Sequence, residues 1–150
     1  MPKDGFNKIL VAFDGSPDAV KAAKRAGALA SEFEASLLIV HAYSLPAVGY
    51  GGPGPMPLVD FKAIEESART KAKEILEKGR AICDQEGVQA KAELIETTSI
   101  VQGIVELAAK ENVDLIVMGT RGMTGFKKML VGSVSDGVVS HAHCSVLVVR

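Results

Sequence analysis

A chain of 150 residues with 47% hydrophobic and 23% charged side chains can build one self-sufficient core, and is too apolar for a disordered segment. The 17 basic and 18 acidic residues are mixed along the chain and leave a net charge of -1, which excludes the basic stripe of a duplex-binding protein. No run approaches the ~20 apolar residues of a membrane span, and the apolar run before Asp14 is too brief for a secretory signal.

The expectation is therefore a cytoplasmic protein, one domain over residues 1–150, with neither nucleic acid nor membrane as partner. Cys83 and Cys144 do not amount to a disulfide framework and are read as reduced thiols. The string His141-Ala142-His143-Cys144 lacks a second ligand cluster, so no metal site is assigned.

Lys8 to Asp14 reads as a buried strand that stops at Asp14-Gly15-Ser16-Pro17. Ser16 suits an N-cap and Pro17 the first helical position. Ala19, Ala22, Ala23, Ala26, Leu29, Ala30 and Phe33 then recur on one helical face, whose small residues allow close approach to a sheet. Leu37 to Tyr43 is the second strand. The segment from Pro46 to Pro57 holds four prolines and four glycines, excluding helix or central strand. It reads as a connector, a lid over a ligand being the other reading.

A long helix is expected from about Val59 to Glu86, with Phe61, Ile64, Ala68, Ala72, Ile75 and Ile82 on its apolar stripe and Gly87 as its stop. Lys91 to Glu96 is a weaker strand. Ser99 and Gln102 form a capping-box pattern before the next helix, which Asn112 ends in a left-handed conformation. Asp114 to Met118 is the fourth strand, Val134 to Ala142 a short helix, and Ser145 to Arg150 the fifth strand. Regular alternation of strand and helix predicts an α/β fold, a doubly wound parallel sheet with helices on both faces.

After the fourth strand the chain runs Gly119-Thr120-Arg121-Gly122 and, after nine intervening residues, Gly132-Ser133. Gly119 and Gly122 leave amides unshielded by a Cβ, and Ser133 opens a helix whose first N–H groups favour an anion. Two half-sites for phosphate thus converge. The spacing fits neither a Walker loop nor a G-x-G dinucleotide fingerprint, and the G-x-S-x-G elbow of serine hydrolases is absent.

Asp14 at a strand end, this glycine spacing and the five-strand alternation together resemble the ATP-binding universal stress proteins. The resemblance spans the chain and implies a Rossmann-like, adenine nucleotide alpha hydrolase-like fold with strand order 3-2-1-4-5. By that likeness Ala12 and Asp14 would meet adenosine, Asp14 accepting from a ribose hydroxyl, and the main chain of Ala42, after His41, would meet adenine. Met118, Gly119, Gly122, Gly132, Ser133, Val134 and Ser135 would meet the phosphates, with Arg121, Lys127 and Lys128 as helpers or merely solvated cations.

Taken alone, Asp14 reads first as a turn residue bonding its own backbone, and only with the glycine loop as a ligand contact; Asp136 reads as a cap of its own helix. The ligand implied is ATP, with ADP, AMP or cyclic AMP as alternatives and Mg2+ as an optional companion. No catalytic set is legible, so a regulatory binder is expected rather than a fast enzyme; a weak ATPase and a nucleotide-free interaction module are the alternatives. In this topology Val146 to Val149 lies at the sheet edge, where a second copy would pair to form a homodimer.

Overall fold

The computed structural model describes residues 4–45, 53–54, 60–120 and 132–150. Most of the segment 46–57, and Arg121, Gly122, Lys127 and Lys128, lie outside them. The described elements run β1 (Lys8–Ala12), α1 (Pro17–Phe33), β2 (Ser36–Tyr43), α2 (Phe61–Gln85), β3 (Lys91–Glu96), α3 (Ile100–Lys110), β4 (Leu115–Gly119), α4 (Ser133–His141) and β5 (Ser145–Val149). All strands pair in parallel, in the order β3-β2-β1-β4-β5. The expected doubly wound sheet and its strand order are both present.

Alternation along the strands divides the core into two layers. Ile9, Val11, Phe13, Leu37, Ile39, Leu115 and Val117 share a cluster with the alanine face of α1 and with Leu76 and Cys83 of α2. Leu10, Leu38, Val40, Ile116 and Met118 turn the other way, toward Ile104, Leu107 and Ala108 of α3 and Val138 of α4. Burying a Leu, Ile or Val side chain stabilises by about 1.5–3 kcal/mol, so the central strands, apolar on both faces, anchor the fold.

Helix α1 starts as expected, with Ser16 Oγ accepting from Ala19 N at 3.2 Å and Pro17 in the first turn. Asn112 adopts a φ of 54° and Gly87 one of 78°, so both left-handed stops are used. Half of the capping box is made. Ser99 Oγ accepts from Gln102 N at 3.3 Å, but the Gln102 side chain donates to Glu106 Oε1, because Thr97 Oγ1 already takes the Ser99 N–H. Phe61 departs from expectation. It is 43% exposed, since α2 buries its stripe only from Ala72 onward.

Burial pushes the Cys83 thiol up to about 11 from 9.0, with the charges of Asp84 and Glu86 adding to the shift. An unfolded chain releases that proton near 9.0, so the stabilisation from neutral Cys83 is complete below that pH and is lost as pH rises through about 11. In native protein at pH 8 a thiol reagent should modify half-buried Cys144 and reach fully buried Cys83 only after unfolding. Equal labelling rates would contradict this packing.

Candidate functional site

The strand order reverses between β1 and β4, whose neighbours lie on opposite sides, and ligands of open α/β sheets sit beyond the carboxyl ends of such strands. Val11 pairs with Val117, which sets Ala12 and Asp14 alongside Met118 and Gly119 at this switch point. Four of the expected contacts share one face there. Ala12, Ala42, Met118 and Val134 all belong to the layer against α3 and α4.

Asp14 occupies the β1–α1 turn, where its Oδ1 accepts from Ser16 N at 2.9 Å while Gly15 takes a φ of 82°. The turn role is therefore real. It does not exhaust the side chain, because a carboxylate offers about four acceptor sites and Asp14 is only half-buried. Behind it, buried His41 places Nδ1 2.8 Å from the Phe13 carbonyl, and its ring stacks at 6.3 Å on Tyr43.

The glycine segment is closed at its base. Gly132 N donates to Thr120 O at 2.5 Å, so the chain leaves the sheet at Thr120 and returns to the same carbonyl before α4 begins. Ser135 Oγ lies 3.0 Å from Thr120 O and 3.2 Å from Gly132 O, sharing its proton between them. Thr120 N in turn donates to Val149 O of β5 at 3.0 Å.

Gly132 is the N-cap of α4, with no side-chain cap, and the first intrahelical bond runs from Asp136 N to Gly132 O at 2.8 Å. Asp136 thus lies exposed in the first turn without capping it. The N–H groups of Ser133, Val134 and Ser135 precede the helical ladder, where the positive end of the helix favours an anion. Ser133 is exposed, Val134 half-buried and Ser135 buried, so the Ser135 hydroxyl is committed to the loop base.

Two glycines have a packing role that sequence alone did not indicate. A Cβ on Gly119 would fall 2.8 Å from Asp18 Cβ and 2.9 Å from the Asp18 carbonyl carbon, and one on Gly132 would fall 2.6 Å from Thr120 O. Both fit helix and loop against the strand end. Sequence reasoning also passed over Asp18 and Thr120, whose side chains meet in a buried hydrogen bond of 2.7 Å. An acidic residue one position past an N-terminal proline and a threonine inside the glycine motif were the available signals.

Among the described residues no group of three His, Cys, Asp or Glu could hold a metal ion, and no helix is long and apolar enough to cross a membrane. Comparison with known proteins agrees with the fold. The Universal stress protein family model matches residues 5–150. A universal stress protein of Methanocaldococcus jannaschii is 37% identical over 97% of this chain and 82% of its own, and one of Thermus aquaticus is 38% identical over 97% and 99%. A solved universal stress protein in complex with cAMP superposes with a TM-score of 0.73 at 25% identity, covering 98% of this chain and 99% of that one. By family model, by sequence identity and in its strand order, the chain belongs to the universal stress protein family.

Proposed function

We propose that this protein is a regulatory binder of an adenine nucleotide, with ATP as the principal ligand, and that it acts in a cytoplasmic stress response. The observation that carries the proposal is the first turn of α4, whose Ser133, Val134 and Ser135 amides are held by the Thr120–Gly132 pinch just past the end of β4, the strand paired with the β1 that leads into Asp14. Those amides fit an anionic chain, and the carboxylate fits a ribose hydroxyl. The small apolar side chains of Ala12 and Ala42, in the same layer as Met118, suit the flat face of a purine, with the Ala42 main chain meeting its edge. The relative solved with cAMP supports the same ligand class.

Gly119, Gly122 and Met118 main chain would complete the phosphate contacts, with Arg121 screening charge and Mg2+ accompanying a triphosphate. Hydrolysis would need a group that orients water near the terminal phosphate, and nothing in the sequence supplies an evident one. Slow or absent turnover is the expected behaviour. Heat-denaturing freshly purified protein and analysing the supernatant tests this function: released ATP, ADP, AMP or cyclic AMP supports it. Nucleotide-free protein that also fails to bind added ATP in calorimetry would favour an interaction module instead.

We further propose a homodimer through β5, the sheet edge that carries the exposed Leu147. A monomer in light scattering at micromolar concentration would contradict it.

A further inference from the structure

Thr120 lies where four elements meet. Its N–H is committed to Val149 O of β5, and its carbonyl accepts from both Gly132 N and Ser135 Oγ at the start of α4. Those two bonds use both lone pairs of the carbonyl. Its hydroxyl, only 3% exposed with the rest of the residue, donates to Asp18 Oδ2 at 2.7 Å. Asp18 is 8% exposed in the first turn of α1, two residues after Ser16, whose N–H is bonded to Asp14.

We infer that the Thr120–Asp18 hydrogen bond is a clamp that couples the two halves of the nucleotide cleft, fixing the α4 amides relative to the Asp14 turn. The inference rests on the nucleotide proposal above and extends it to two positioning residues that need not touch the ligand. The physical reason lies in what the bond fixes. With its N–H tied to Val149 O and its hydroxyl tied to α1, Thr120 is held from two sides, which limits how far its carbonyl can swing from Gly132 N and Ser135 Oγ. The bond is buried, so removing the donor leaves an acceptor that water does not readily reach.

Packing reinforces the same joint. The first turn of α1 already abuts Gly119 so closely that a Cβ there would come within 3.0 Å of Ala19 N. Backbone contact therefore sets the distance between α1 and the end of β4, and the Thr120 hydroxyl pins the residue that starts the loop to α1. The ribose side and the phosphate side of the cleft are thus joined through side chains whose loss leaves the sheet ladder untouched.

The test uses full-length protein and two readouts, amide hydrogen exchange without ligand and the ratio of ATP to adenosine affinity in calorimetry. Thr120→Val keeps the shape and removes the donor. It should speed exchange at the Gly132 amide and weaken ATP binding, each by about tenfold, while adenosine affinity changes less than about twofold. Thr120→Ser should restore both. A purely structural role would lower the melting temperature without altering the ATP-to-adenosine ratio, and that outcome overturns the clamp.

Should Thr120→Val fail to fold, Asp18→Ala removes the same bond from the other side and should move both readouts in the same direction, by about tenfold. Wild-type values in that variant overturn the inference. If wild-type protein binds neither ATP nor adenosine, the functional proposal fails, and Gly132 exchange alone then decides the clamp: unchanged exchange in both variants refutes it.

Discussion

Gly132→Ala is expected to weaken ATP binding roughly a hundredfold, nearly as much as Gly132→Val, because the harm lies in the first carbon added. A Cβ at this position meets the Thr120 carbonyl oxygen at 2.6 Å, and that oxygen is main chain, already receiving Gly132 N and Ser135 Oγ. Relief requires the pinch to open. Opening it releases the Gly132 N–H bond and tilts the first turn of α4, so the amides of Ser133 to Ser135 no longer converge on one anion. If glycine served only to let phosphate approach, alanine would be tolerated and only a branched side chain would block the ligand. Calorimetry on the two variants separates these accounts: near-native affinity for Gly132→Ala would refute loop closure as the reason for this glycine. The sheet and both core layers are untouched, so a cooperative unfolding transition should persist.

Gly119→Val should act on stability as well as on binding. The space a side chain would need at the end of β4 is filled by α1, with Asp18 Cβ, the Asp18 carbonyl carbon and Ala19 N all within 3.0 Å of the new Cβ. Two of these atoms are helical backbone and cannot yield by changing rotamer. Overpacking of this kind costs about 3 kcal/mol. For a domain of this length the loss should lower the melting temperature by roughly 10 °C. Helix α1 would be displaced from the strand end, separating Asp18 from Thr120 and the Asp14 turn from α4. A melting temperature within a degree or two of wild type would show that α1 is not seated on Gly119 in solution.

Much of this architecture was legible in the residues because local and tertiary signals agree. The run from Ile9 to Phe13 is apolar on both faces, as a central parallel strand must be, and Ser16-Pro17 marks the start of α1 on chemistry that tertiary packing has no reason to override. Lys91 to Glu96 read as a weaker strand, and β3 is an edge of the sheet with only half-buried or exposed residues. Phe61 misled because periodicity continues past the end of the surface that α2 can cover. The first half of the capping box was legible and the second was not, since Thr97, outside the pattern, takes the Ser99 N–H.

The site was legible as a set of backbone groups and less so as a mechanism of assembly. Glycine spacing points to exposed amides, and the pairing of β1 with β4 puts the strand that leads into Asp14 next to the one that leads into the glycines. Spacing carries no information on which atoms lie across from a missing Cβ, so the seating of α1 on Gly119 and the closure of the loop at Gly132 emerged only in three dimensions. The same holds for Asp18 and Thr120. They are 102 positions apart, and nothing in either local sequence announces a shared hydrogen bond.

Titrating nitrogen-15-labelled protein with ATP and following each backbone amide tests the central claim most directly. The account expects the largest shifts at Gly132, Ser133, Val134 and Ser135, with smaller ones around Asp14 and Ala42. Saturable ATP binding that moved amides at the opposite, amino-terminal ends of the strands and left the first turn of α4 unchanged would contradict it.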